Sequence, residues 1–188
     1  MKAQELHMHF KEDDFEDILR VHEHIEGYLE DQKKTYHSMC QKELKSHLIS
    51  EVNWRERHQL LSCEQLGVNI RIGDICYVDF GRAYIQEAGF QHFGLIVAMY
   101  LGKAFVIPMT SNPSTYAQGY HPIKIPNGKR HLLQIGLIPG LVRPSVLFMN
   151  DAKFINTARI IDVKAHIAVT SPLFTLIINR IKECINLG

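Results

Sequence analysis

From Ile70 onward the chain is cut into short β-branched and aromatic segments separated by glycine, proline and asparagine, and this punctuation limits the fold more than any other feature. The run Ile72-Gly-Asp-Ile-Cys-Tyr-Val-Asp-Phe-Gly81 is closed by glycines and predicts a strand. Phe93-Gly-Leu-Ile-Val-Ala-Met-Tyr100 and Ala104-Phe-Val-Ile-Pro108 predict two more, joined by a tight turn at Leu101-Gly-Lys103. Residues 119–125 and 131–135 flank Pro126-Asn-Gly-Lys129, and Asn-Gly is the strongest short hairpin signal. Residues 145–150 and 165–169 predict further strands, with an irregular crossing between them. Ser171 then caps a last helix with Pro172 at its first position, and Leu173, Phe174, Ile177, Ile181, Cys184 and Ile185 form its apolar side. Short strands at close spacing with one terminal helix predict an α+β unit over residues 70–188, a small and strongly curved β-barrel.

The texture before Ile70 is different. Phe15, Ile18, Leu19, Ile25 and Leu29 recur at helical spacing behind a first turn crowded with acids, which predicts a helix over about residues 13–32. Tyr36, Cys40, Leu44, Leu48 and Val52 fall every four positions and predict a second helix reaching about Leu61. The expectation is a helical hairpin, residues 1–69, preceding the barrel. Two helices alone bury little surface, so its apolar side requires a partner surface.

Charge divides the chain in the same place. Residues 1–34 hold ten acidic and five basic side chains, and residues 70–188 hold six acidic and twelve basic. A basic body suits a polyanion, and an acidic leader attached to it is able to shield that surface. Two solvated faces explain the same gradient. No apolar run approaches the roughly 18 residues that span a bilayer, and no secretory apolar region follows the first methionine. Cys40, Cys63, Cys76 and Cys184 form no Cys-x-x-Cys pair, which argues against a disulfide framework or structural zinc and for a reducing cytoplasm. His22 and His24 point to different faces of a helix, and His7 and His9 chelate only if extended, so no metal or other cofactor is expected.

Three ordered segments resemble the MazF/PemK toxin family. Gly73-Asp-Ile-Cys-Tyr-Val-Asp-Phe80 resembles its first strand, Phe105-Val-Ile-Pro-Met-Thr-Ser111 its strand ending in Pro-hydrophobic-Thr-Ser, and Ser145-Val-Leu-Phe-Met-Asn-Asp-Ala-Lys-Phe-Ile-Asn156 its late strand. The resemblance spans about residues 70–186 and implies an SH3-like barrel, a homodimer, and metal-independent cleavage of single-stranded RNA blocked by an antitoxin protein. The chain departs from the family pattern at two places. His92 stands where members usually carry a catalytic Arg, and Phe148 and Asn150 stand where some place an Arg and an Asp. Thr110 and Ser111 retain the Thr-Ser pair.

Attack of a ribose 2′-OH on its own phosphate needs a base, positive charge for the transition state and an acid for the leaving oxygen. A histidine suits either proton transfer. His92, Thr110 and Ser111 are therefore the candidate catalytic residues, with Arg82 or Arg143 to neutralise the phosphate. Each has a plainer reading: a hydrogen-bonded strand edge for His92, a turn ahead of Asn112-Pro113 for Thr110-Ser111, and solvation for Arg143. Lys129 and Arg130, beside the Asn-Gly turn, are candidate phosphate contacts projecting from a hairpin tip, and Tyr116 and Tyr120 candidate stacking platforms. Asn150 completes the candidate RNA-binding set. The competing functions are a non-catalytic RNA- or protein-binding module and, as in the related CcdB barrel, topoisomerase inhibition through an exposed apolar carboxyl-terminal helix.

Overall fold

The computed structural model describes residues 15–185, with the side chains of residues 22–184. In chain order the elements are α1 (Phe15–Ser38), α2 (Gln41–Arg57), a 3-10 turn (Cys63–Leu66), β1 (Asp74–Asp79), β2 (Gln91–Tyr100), β3 (Lys103–Thr110), α3 (Pro113–Gln118), β4 (Gly119–Tyr120), β5 (Lys129–Gly136), β6 (Ser145–Phe148), β7 (Lys153–Asn156), β8 (Ile160–His166) and α4 (Pro172–Ile185), with further 3-10 turns at Met149–Asp151 and Thr157–Arg159. The chain divides into two compact units after Lys45. That point precedes the change of texture near residue 70, so the later turns of α2 and the 3-10 turn at Cys63–Leu66 go with the strands.

The strands form one eight-stranded sheet in the order β4-β5-β6-β3-β2-β1-β8, with β7 paired to the other end of β3. The hydrogen-bonded path does not return on itself. Strict alternation places a core on each face. Ile75, Leu95, Val97, Ile107, Met109, Leu133 and Leu147 face α4, whose Phe174, Ile177 and Ile181 cover them. Cys76, Val78, Ile96, Ala104 and Val106 face the opposite way and meet Cys63, Ile155 and Ile160. Both faces of the central strands are thus dry, which is why β1 to β3 read as near-continuous apolar runs.

The terminal helix begins as expected, with Phe174 N–H donating to Ser171 Oγ at 3.2 Å. Three local expectations are corrected. First, α1 runs on through Asp31-Gln-Lys-Lys, because nothing there breaks a helix and Lys34 pairs with Asp31 one turn back at 3.6 Å. Second, the Asn-Gly segment makes no antiparallel hairpin, since β4 pairs with β5 in parallel. His121 turns the chain earlier, its Nδ1 accepting from Ile123 N–H at 3.2 Å and Lys124 N–H at 3.0 Å. Gly128 then lies against the Gly119 carbonyl, where any Cβ would sit 2.5 Å from that oxygen. Lys129 and Arg130 consequently open β5 and do not project from a hairpin tip. Third, the stretch read as an irregular crossing holds β7 and most of β8, and the strand expected over residues 165–169 instead ends at His166.

The later part of α2 docks by its polar side. Ser46, His47, Ser50, Asn53 and Arg57 face inward, whereas Leu48 and Val52 of the expected apolar stripe face out, as does Trp54. The anchor is Asp79 at the end of β1, 3% exposed, which accepts from Ser50 Oγ at 2.7 Å, Asn53 Nδ2 at 2.7 Å and Gly81 N–H at 2.9 Å. Gln91 donates to Ser50 Oγ at 2.8 Å, and Arg57 Nη1 reaches the carbonyls of Ala158 and Ile160 at 3.3 and 3.2 Å.

Candidate functional site

One end of the sheet gathers the finish of β1, the start of β2, the finish of β3 and the start of β6. Phe93 pairs with Met109, so the register brings His92 opposite Thr110 on adjacent strands, with both on the face away from α4. Thr110 pairs in turn with Val146, which sets Ser111 beside the start of β6 and Arg143 just before it. His92, Thr110, Ser111 and Arg143 thus share one end of the sheet, together with the loop 80–90 that carries Arg82.

That loop is shaped by short backbone contacts. Phe80 N–H donates to Phe90 O at 2.8 Å and Phe90 N–H to Gly81 O at 2.6 Å. Gln86 and Phe90 adopt positive φ, 75° and 55°, an unfavourable conformation for side-chain-bearing residues. Gly89 is buried where a Cβ would lie 2.6 Å from that of Ala83. The loop therefore folds back tightly and delivers the Gly89 carbonyl to His92 Nδ1 at 2.6 Å. A carbonyl only accepts, so Nδ1 carries the hydrogen, and in the neutral ring Nε2 is left as the acceptor. Such a ring is held in one orientation with its basic nitrogen unspent.

Thr110 has two roles. Its Oγ1 accepts Asn112 N–H at 3.2 Å, closing the turn that precedes α3, while its own O–H stays available to donate. Asn112 caps α3, accepting from Ser114 N–H at 2.9 Å and Thr115 N–H at 3.3 Å. Ser111 and Arg143 are exposed. Arg82 meets Glu51 of α2 at 2.5 Å, so this candidate phosphate contact is opposed by a carboxylate.

The remaining candidates lie elsewhere. Along the sheet, β5 is separated from β2 by β6 and β3, a path of about 14 Å at ordinary strand spacing. Lys129 and Arg130 stand on that far strand, Arg130 paired with Glu183 of α4 at 3.4 Å. Tyr120 has one ring face covered by the Arg180 guanidinium at 4.4 Å. Arg180 is itself 4% exposed on the otherwise apolar side of α4. Tyr116 is half-buried, and its carbonyl accepts from Gln134 at 2.6 Å. Asn150 is exposed in the turn after β6.

Three residues to which sequence reasoning gave no role connect to this end of the sheet through the loop 80–90 and the sheet face that His92 shares. Phe80 lies over β2, where a Cβ on Gly94 would come within 3.3 Å of its Cζ. Lys153 pairs with Val106 across β7 and β3, so its side chain shares His92's face, and its Nζ sits 5.8 Å from the Phe80 ring centre. Asp151 pairs with Lys153 at 3.0 Å and accepts the Ala88 N–H with its other oxygen. The only sequence signal was the Asn-Asp-Ala-Lys run after β6, which spacing alone does not connect to a loop more than 60 residues earlier. Among the described residues no three His, Cys, Asp or Glu side chains gather as a metal-binding group, and no helix is long and apolar enough to cross a membrane.

No protein-family model matches the chain, and no curated protein matches it significantly. Among solved structures it is similar to the Mycobacterium tuberculosis toxin MazF-mt6, at 13% identity over 61% of this chain and 98% of that one, with a TM-score of 0.43. It is similar also to MazF from Deinococcus radiodurans, at 12% identity over 64% of this chain and 99% of that one, with a TM-score of 0.46. A mycobacterial endoribonuclease in complex with its cognate antitoxin matches at 12% identity over 64% and 98% of the two chains, with a TM-score of 0.42.

Proposed function

We propose that this chain is a toxin-type endoribonuclease that cleaves single-stranded RNA without a metal ion, on an SH3-like barrel, as a cytoplasmic homodimer restrained by an antitoxin protein. The observation that carries the reading is the His92 ring, hydrogen-bonded through Nδ1 to Gly89 and standing opposite Thr110 on the next strand. In the reaction, Nε2 takes the proton of the ribose 2′-OH. The 2′ oxygen bonds to phosphorus, and the bond from phosphorus to the 5′ oxygen breaks. The departing 5′ oxygen takes a proton from water, leaving a 2′,3′-cyclic phosphate and a 5′-hydroxyl, and His92 later returns its proton to solvent. The Thr110 and Ser111 hydroxyls are suited to hold a phosphoryl oxygen. Arg143, exposed just before β6, adds charge at the same end, and Lys129, Arg130, Tyr116, Tyr120 and Asn150 serve as more distant contacts along the strand.

The topoisomerase alternative draws no support from α4, which spends Phe174, Ile177 and Ile181 on the sheet and presents Thr175, Asn179, Lys182 and Glu183 outward. The test is cleavage of single-stranded RNA by the full chain and by His92→Ala. The expected loss is about two orders of magnitude, the usual contribution of a general acid or base. Full activity in the variant sinks the assignment.

A further inference from the structure

We propose that Lys153 is the phosphate-binding cation of this site and that Asp151 is the residue that positions it. The inference rests on the endoribonuclease reading and supplies charge at the phosphoryl oxygens, because the imidazole, which gains its positive charge only as it takes the 2′-OH proton, directs that charge at the attacking oxygen. The loop 80–90 ties the two groups together. Ala88 gives its N–H to Asp151, and the next residue, Gly89, gives its carbonyl to His92. Two successive residues of one loop therefore contact the imidazole and the Asp151–Lys153 pair. Phe80 provides a second link. Its ring packs at Gly94, two residues along β2 from His92 and thus about 7 Å away on the same face, and Lys153 Nζ lies 5.8 Å from that ring's centre.

The charge is suitably presented. Asp151 occupies one of the three N–H donors of Lys153 and leaves two for phosphoryl oxygens. The Lys153 side chain is 35% exposed, so it is both packed and reachable, and the other oxygen of Asp151 is already taken by Ala88. Two arginines near the loop are engaged elsewhere, Arg82 with Glu51 and Arg159 Nη1 with the Asp79 carbonyl at 3.2 Å, while Arg143 stands exposed before β6 as a second source of charge.

Two probes test this with the full chain: a mixed-sequence single-stranded RNA for cleavage, and the same sequence as 2′-deoxy strand, which lacks the attacking hydroxyl, for binding across a salt titration. Lys153→Met, whose unbranched stem still packs on Phe80, is expected to lower kcat/KM by about two orders of magnitude. It should also reduce the slope of log K against log salt by about 0.7, the value of one contact to a single strand. Lys153→Arg should restore most of both, and it keeps the test open if the Met variant fails to fold. Asp151→Asn should lower kcat more than it raises KM, because Lys153 keeps its charge and loses its place. Binding without cleavage by the unaltered chain overturns the endoribonuclease reading and leaves Lys153 to be judged on the salt slope. An unchanged slope and rate in Lys153→Met, or no binding by the unaltered chain, overturns this proposal.

Discussion

The polar docking of α2 makes Asp79→Ala the most informative single perturbation of the fold. Asp79 is buried with no guanidinium or ammonium on its carboxylate among the described residues, and its carboxylate accepts from Ser50, Asn53 and Gly81 N–H. Hydrogen bonds to a charged group contribute about 1.5–3 kcal/mol each, which bounds the gross loss at roughly 4.5–9 kcal/mol. Two effects reduce it. The alanine no longer carries the desolvation cost of a buried carboxylate, several kcal/mol in a typical site. Ser50 Oγ also keeps Gln91 as a partner, leaving Asn53 Nδ2 and Gly81 N–H as the groups without an acceptor. The expected net loss is about 3–4 kcal/mol, a large part of the stability of a domain this size.

Urea unfolding read by near-ultraviolet circular dichroism measures it, with Ser50→Ala and the double variant closing a cycle. The two single losses should fail to add, with a coupling of about 1.5 kcal/mol or more. Hydrogen exchange should show the loop 80–90 opening at lower denaturant than the central strands, since Gly81 and Gln91 are both tied to this network. A net loss under about 1 kcal/mol, or strict additivity, would refute the claim that this carboxylate anchors the helix.

Other outcomes follow from the same structure. Burial pushes the Cys76 thiol up to about 12 from its ordinary 9.0 and raises that of Cys63 as well. The unfolded chain thus holds fewer protons above pH 9 and stability falls as pH rises, by about 1.4 kcal/mol at pH 10 from Cys76 alone. Urea midpoints at pH 8 and pH 10 check this, and Cys76→Ala should flatten the difference. Removing residues 1–45 should leave a folded strand unit that binds single-stranded RNA more tightly than the full chain if the acidic leader shields it, with the gap narrowing at high salt. Removing residues 1–68 should instead yield insoluble protein, because it takes away Ser50, Asn53 and the buried Cys63. Unchanged affinity in the first truncation ends the shielding idea. RNA cleavage, finally, should persist in EDTA, and its loss with rescue by Mg²⁺ would replace the proposed chemistry.

What the sequence made legible was what short-range chemistry controls. β1, β2 and β3 were readable because their alternating residues fill two dry faces, and α4 because Ser171 and Pro172 mark its start. The misreadings arise where a contact absent from the pattern, local or tertiary, overrides the signal. Asn127-Gly128 is a hairpin sequence that never becomes one, since His121 captures two backbone N–H groups first. The stripe Leu44, Leu48 and Val52 suggested an inward apolar face, yet a buried aspartate on a distant strand recruits Ser50 and Asn53 instead. In the candidate site, the register between β2 and β3 sets His92, singled out by its position, opposite Thr110, singled out by its motif. The contact of Asp151 and its partner Lys153 with the loop was not legible, because it passes through a backbone N–H, and no side-chain pattern in the sequence records that.

The loop 80–90 shows why the chemistry and the helical docking belong to one problem. Its positive φ at Gln86 and Phe90 costs of order 1–3 kcal/mol each and persists only where surrounding contacts over-determine the path. Asp79 holds its beginning through Gly81, Asp151 holds Ala88, His92 holds Gly89, and Gln91 ties its end to Ser46 and Ser50 of α2. Relaxing any one of these lets the loop move toward ordinary backbone angles, and the first contact affected is the Gly89 carbonyl that fixes the His92 tautomer. A change at Asp79 should therefore reach the proposed reaction through imidazole orientation, lowering kcat at temperatures where the variant is still folded.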